Sequence, residues 1–171
     1  IGIVGIGRIG QEVAKIAFGL GMNVKAADAF IENVEIKLDF PNNQSVSIPV
    51  KTEPLENVLN ESDFVTLHVP AQKGGALLGK EEFAKMKDGV AVVNCARGGV
   101  IDEVALIEAL NSGKVAFAGL DVFVNEPTPS SEILSHPKIS LTPHIGAATE
   151  EAQERIGTEL AAQITSIFQN A

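Results

Sequence analysis

The strongest constraint on the fold lies in the first twenty-one residues, IGIVGIGRIGQEVAKIAFGLG. A short apolar run feeds directly into G-x-G-x-x-G at Gly5, Gly7 and Gly10, and an amphipathic run follows. Strand, tight turn and helix in that order give each glycine its own task. Gly5 permits the sharp turn, Gly7 lets a pyrophosphate come close to the backbone, and Gly10 lets the helix pack against the strand. The helix N-terminus then offers unpaired N–H groups and a partial positive charge to an anion. Arg8 stands where a guanidinium adds a charge-assisted contact, and Ile9 belongs to the same turn.

The next apolar run ends at Asp28, eighteen residues after Gly10. That is where a dinucleotide fold places the acid that binds the adenosine ribose hydroxyls. No arginine follows in DAFIEN, so a 2′-phosphate would meet this carboxylate unopposed, and NAD is expected in preference to NADP. The bland alternative is a glycine-rich structural turn.

Short apolar runs then alternate with amphipathic stretches along the chain. Strands are expected at Ile1–Val4, Val24–Asp28, Phe64–His68, Val90–Asn94, Val115–Asp121 and Ile139–Leu141. Helices are expected near Arg8–Leu20, Leu55–Asn60, Lys80–Met86 and Asp102–Asn111, the last opening on an Asp cap and stopping at Gly113. A final helix is expected from about Glu150 to Phe168, with Ala152, Ile156, Leu160, Ile164 and Ile167 at helical spacing. The alternation predicts a doubly wound (Rossmann) α/β fold, a parallel sheet flanked by helices. Residues 34–52 break the pattern with two alternating runs around PNNQ, which predicts an inserted β-hairpin that decorates an edge or a partner contact.

With 171 residues, 45% of them hydrophobic, the chain reads as one domain, 1–171. Its net charge of −9 argues against sequence-independent nucleic-acid binding, which needs a basic footprint. No apolar run reaches the roughly 18–20 residues that span a bilayer, so no membrane partner is expected. Cys95 is the single cysteine, which excludes an internal disulfide and suits a reducing compartment. A cytoplasmic location is the resulting expectation. The abrupt start on a core strand suggests a piece excised from a longer protein.

In a doubly wound sheet, ligands gather beyond the carboxyl ends of the strands. LHVP (67–70), NCARGG (94–99), LDVFVNEP (120–127) and LTPHIG (141–146) all fall there, so Arg97, Asp121, Glu126 and His144 are candidates for one cleft. Each also has a structural reading: a surface arginine, a turn cap, a solvated loop carboxylate and a turn histidine. For His68 a buried strand-end role is favoured over catalysis, and for Cys95 packing is favoured over nucleophilic chemistry.

Taken together, GIGRIGQEVAK, LHVPAQ, EEFAKMKDGVAVVNCARGGVIDEVALIEAL, SGKVAFAGLDVFVNEP and LTPHIGAATEEAQ resemble the NAD-binding domain of the D-isomer-specific 2-hydroxyacid dehydrogenases. The matched segments cover nearly the whole chain apart from 34–52; Gln72 stands where that family often has threonine. The resemblance implies that Arg97 anchors a substrate carboxylate and that Glu126 partners His144, the acid/base. A guanidinium matches a carboxylate with two parallel donors. A histidine moves protons near neutral pH, and a carboxylate on its other nitrogen fixes the tautomer. The resemblance further implies that Asp121 lies near the nicotinamide carboxamide. Val69, Pro70, Cys95, Ala96 and Arg97 would line the dinucleotide, and Gly146 and Ala147 would leave room for the nicotinamide. It also implies a small 2-hydroxy or 2-oxo acid as substrate, and a second domain built from the two ends of the longer chain. The isolated piece would then be inactive, and a homodimer would form through this domain. An NAD(H)-sensing scaffold or corepressor on the same fold is the rival from another functional class. Formate oxidation is disfavoured because that branch pairs its histidine with glutamine.

Overall fold

The structure is a computed structural model that describes residues 1–71 and 74–169, so Gln72 lies outside the described residues. In chain order the elements are β1 (Gly2–Val4), α1 (Arg8–Gly19), β2 (Lys25–Ala27), β3 (Asn33–Asp39), β4 (Ser45–Lys51), α2 (Leu55–Glu61) and β5 (Phe64–Leu67). They continue with α3 (Lys80–Lys85), β6 (Val90–Asn94), α4 (Glu103–Ser112), β7 (Val115–Leu120), α5 (Ser131–Ser135), β8 (Ile139–Leu141) and α6 (Glu150–Gln169). The described residues form a six-stranded sheet in the order β2-β1-β5-β6-β7-β8, and every pairing in it is parallel. The order reverses between β1 and β5, so loops at that point diverge and leave a crevice beyond the strand ends.

Alternation along β1 divides the core. Val4 joins the large cluster with Val65, Leu67, Val92, Leu106, Leu110 and Leu120, which α2, α3 and α4 cover. Ile3 points the other way, into a smaller cluster with Ile6, Ala14, Ala26, Ile36 and Val50. The hairpin supplies Ile36 and Val50. Strands β3 and β4 pair antiparallel from Asn33↔Lys51 to Asp39↔Ser45, closed by the Phe40 N–H on the Gln44 carbonyl at 2.9 Å. Thr52 continues past β4 to bridge Ala26 of β2. The insertion therefore completes the smaller core that β1, α1 and β2 begin, and is more than an edge decoration.

Helix α4 keeps its expected cap, Asp102 Oδ1 accepting from the N–H groups of Val104 (2.9 Å) and Ala105 (3.1 Å), and ends at Gly113 with φ 79°. Helix α5 was not foreseen; its five residues carry too short a period to stand out, although Ser130 caps it through the Ile133 N–H at 3.3 Å. Helix α6 has the expected apolar spacing but buries no residue; Ile156, Leu160, Ile164 and Ile167 are all exposed. On the face shared with Ile3, Thr66 is buried, but among the described residues Phe64, Val93 and Phe117 lie exposed.

Candidate active site

Gly5 and Gly10 are placed where the turn and the helix contact leave no room for a side chain. Gly5 has φ 93°, and a Cβ there would press on the His68 carbonyl oxygen at 2.5 Å and on the Val69 side chain. A Cβ on Gly10 would collide with the carbonyl oxygen of Gly5, so α1 seats directly on the turn. Around Gly7, by contrast, a Cβ would meet no protein atom within 4 Å. The protein leaves space at the position where a phosphate would come closest to backbone. The N-terminus of α1 has no side-chain cap, so its amide donors point outward to that space.

Asp28 serves this turn directly. Its Oδ2 accepts the Ile6 N–H at 2.9 Å, and its Oδ1 accepts from Phe30 (2.9 Å) and Ile31 (3.1 Å). A carboxylate has about four acceptor positions, so Oδ2 keeps capacity for a ribose hydroxyl. Beside it lies a cavity of about 260 Å³ walled mainly by apolar residues, among them Ala27, Ala29, Pro54, Leu55 and Val69, with Glu53 the charged residue besides Asp28, a slot suited to a flat base. The residues present thus fit a dinucleotide: amides for phosphate, a carboxylate for ribose and an apolar slot for the base. Arg8 is exposed, and its Nη1 pairs with Glu159 Oε1 of α6 at 2.7 Å; Ile9 beside it is also exposed. Pro70 is exposed at the end of the same β5 loop.

His144 follows β8 in the left-handed region, φ 55°, a conformation that histidine adopts more readily than most residues. Its Nδ1 lies 2.6 Å from Glu126 Oε2, while Glu126 Oε1 accepts the Phe123 N–H at 2.9 Å. The bond to His144, and then that from Phe123, hold the Glu126 carboxyl below the usual carboxylate range. With Nδ1–H given to a carboxylate, Nε2 is the nitrogen left to exchange a proton. A cavity of about 400 Å³ opens beside the pair, lined by Phe123, Pro127, Leu134, Leu141 and Pro143.

Asp121, 3% exposed, holds the turn that carries His144. Its Oδ1 accepts from Thr142 Oγ1 (2.5 Å) and the Ile145 N–H (2.9 Å), and its Oδ2 accepts the Gly146 N–H (2.9 Å). Burial pushes this carboxyl up, but the three hydrogen bonds and the charge of His144 outweigh it, and the pKa lies below the ordinary value. A Cβ on Gly146 would stand 3.0 Å from Asp121 Oδ2, a tight contact that would make the clamp give by a few tenths of an ångström. Ala147 is exposed and accepts a bond from Gln153 Nε2 at 3.1 Å.

Arg97 is exposed beyond β6, and its Nη1 donates to the Ala96 carbonyl at 2.6 Å, within its own turn. Cys95 is exposed as a residue, yet nearby protein still shields its thiol enough to raise the pKa, and the Asp121 charge adds to this. A thiolate is therefore disfavoured. Burial lowers the His68 pKa, and its Nε2 lies 3.1 Å from Thr66 Oγ1, consistent with a structural strand-end histidine. Sequence reasoning passed over Asn94, Gly98 and Thr142. The available signal was Asn94, a polar residue closing the apolar run VAVVN.

Comparison with known proteins agrees with this geometry. The model of the family described as D-isomer specific 2-hydroxyacid dehydrogenase, NAD binding domain, matches residues 1–146. A D-3-phosphoglycerate dehydrogenase of Bacillus subtilis is 43% identical over 165 residues, covering 96% of this chain and 30% of that protein. A hydroxypyruvate reductase of Thermotoga maritima is 47% identical over 169 residues, covering 96% of this chain and 51% of that protein. Among solved structures, a glyoxylate reductase from Paecilomyes thermophila superposes with a TM-score of 0.76 at 38% identity, over 92% of this chain and 45% of that one. The chain thus spans about a third to a half of the curated relatives it matches. Sequence match, sheet order and glycine turn all lead to one assignment: the chain belongs to the D-isomer specific 2-hydroxyacid dehydrogenases, as their NAD-binding domain.

Proposed function

We propose that the protein containing this domain is an NAD-dependent D-2-hydroxyacid dehydrogenase that oxidises D-3-phosphoglycerate to 3-phosphohydroxypyruvate, a step of serine biosynthesis. The observation that carries the reaction class is the 2.6 Å contact between His144 Nδ1 and Glu126 Oε2, beyond the same strand ends as the glycine turn. Bound NAD would supply the chemistry of accepting a hydride from C2 of the substrate. His144 Nε2 takes the hydroxyl proton in oxidation and returns it in reduction. Glu126 fixes the ring and stabilises the imidazolium through Nδ1. Arg97 binds the substrate carboxylate, and Asp28 binds the adenosine ribose. Val69, Pro70, Cys95, Ala96 and Ala147 line the dinucleotide.

Support for this substrate comes from the run of relatives named D-3-phosphoglycerate dehydrogenase. The 47% identity to a hydroxypyruvate reductase favours a second reading, reduction of hydroxypyruvate or glyoxylate. Turnover by the full-length protein on D-3-phosphoglycerate, hydroxypyruvate and glyoxylate separates them. Oxidation of D-3-phosphoglycerate with the highest kcat/KM is the expected result; preference for hydroxypyruvate or glyoxylate installs the second reading. Absence of turnover on all three, with NADH still bound, would favour a sensor or corepressor.

A homodimer through this domain is part of the same reading. Phe64, Val93 and Phe117 form an open apolar half-face on a parallel sheet, a layer that such folds cover on both sides. A cytoplasmic setting is proposed with it. Among the described residues, no helix is long and apolar enough to cross a membrane.

A further inference from the structure

We propose that Asn94 is a positioning residue for the substrate-carboxylate arginine, its buried amide setting the direction from which Arg97 projects; this rests on the reading of Arg97 as that anchor. Asn94 is the last residue of β6, flanked in register by Leu67 of β5 and Leu120 of β7, and is 2% exposed. A buried amide at an apolar strand end is costly unless it is hydrogen-bonded. Both of its polar atoms are used on the Arg97 turn. Oδ1 accepts the Ala96 N–H at 3.0 Å, and Nδ2 donates to the Arg97 carbonyl at 3.0 Å.

These two bonds grip the dipeptide Ala96–Arg97 at both ends, its first N–H and its last carbonyl. The backbone there cannot turn, and so redirect the Cα–Cβ bond of Arg97, without breaking one of them. Few side chains can do this. Aspartate has no donor for the carbonyl, serine is too short to span both groups, and leucine offers neither.

The same turn is tied to the histidine. A Cβ on Gly98 would collide with the Phe123 carbonyl oxygen, so the Arg97 loop lies directly on the backbone beyond β7. Phe123 gives its N–H to Glu126 Oε1 (2.9 Å), whose other oxygen holds His144 (2.6 Å). Asn94 adds a third tie, its backbone carbonyl accepting the Asp121 N–H at 3.0 Å. The groups proposed to hold the carboxylate and to move the proton are thus referenced to one rigid strand end. A 2-oxo acid has its carboxylate one bond from the reacting carbonyl, and misplacing the anchor by about 1 Å can cost on the order of a hundredfold.

The test is a double-mutant cycle on the full-length enzyme, with hydroxypyruvate and NADH as probes. Asn94→Ser and Asn94→Asp should each raise KM for hydroxypyruvate about tenfold to a hundredfold, with a smaller change in kcat. In an Arg97→Ala background, the same Asn94 substitutions should change KM by less than about twofold, because the group they steer is gone. A merely structural role predicts equal effects in both backgrounds. Additive effects, or an unchanged KM in both single variants, overturn the proposal. Arg97→Ala alone isolates the underlying reading: an unchanged KM in that variant rejects the anchor itself, whatever Asn94 does. Aspartate matches the volume of asparagine but buries a charge against the Arg97 carbonyl, so Asn94→Ala, with the same expected effect, is measured as well and keeps the test open if either of the others fails to fold.

Discussion

Asp121 holds His144 through the backbone of the two residues that follow it: the N–H groups of Ile145 and Gly146 both end on its carboxylate at 2.9 Å. The histidine therefore sits at φ 55° on a turn clamped from beneath by a buried charge. Its ring is steered separately by Glu126. Backbone and ring are held by different carboxylates, and each can be removed alone.

Asp121→Asn is the first prediction. The amide keeps the volume but turns one acceptor into a donor that faces N–H groups. The domain should lose about 1–3 kcal/mol of stability, and kcat of the full enzyme should fall by roughly a hundredfold as His144 leaves its place. Urea melts and steady-state kinetics check this; a lower stability with unchanged kcat would show that the clamp serves the fold alone.

Glu126→Gln acts on the ring instead. Glutamine has one oxygen where Glu126 uses two, so it can accept the Phe123 N–H or the Nδ1–H but not both in this geometry, and it carries no charge to stabilise an imidazolium. A kcat reduced by about tenfold to a hundredfold is expected, with NADH affinity unchanged by fluorescence titration. Equal turnover would remove Glu126 from the proton-transfer pair.

Gly7 and Gly10 should separate binding from folding. Gly7→Ala adds a methyl group where no protein atom lies within 4 Å, so the domain should melt near the parental temperature yet bind NADH at least about tenfold more weakly. Gly10→Ala drives a methyl group into the Gly5 carbonyl and should lower stability by roughly 1–3 kcal/mol. Thermal melts with and without NADH distinguish the two, and a reversed order would refute the assignment of space at the turn.

Acid should destabilise the domain in a defined direction. Asp121, Glu126, Glu61, Asp63 and Asp88 all have lowered folded pKa values. Each binds protons less readily folded than unfolded, so its contribution is complete above the ordinary carboxylate pKa, 3.8 for Asp and 4.5 for Glu. It is lost as pH falls through the lower folded value. The four other than Asp121 are solvent-screened and contribute little. Melting temperature should slope gently below about pH 6.5, where His68 with its lowered pKa takes up a proton more readily unfolded, and drop steeply below about pH 4; Asp121→Asn should make the steep part shallower. An equal acid limb in the variant would place the dependence elsewhere.

The sequence by itself determined the glycine turn, the strand–helix alternation and the hairpin, because each is written in local periods and in residues with one backbone use. It also named Glu126 and His144 as cleft candidates from their places beyond strand ends, while their pairing came from segments that resemble a family. What it did not contain is distance across loops. That Asp121 ends on the amides of Ile145 and Gly146, that its carboxylate crowds the space above Gly146, and that Asn94 grips the Arg97 turn follow from parallel strands bringing separate loop ends together. The apolar stripe of α6 shows the converse: its period was legible, but burial depends on what packs against it, and among the described residues it buries nothing. Local order is set by neighbours in the chain. The site is set by neighbours in space, which only the assembled sheet assigns.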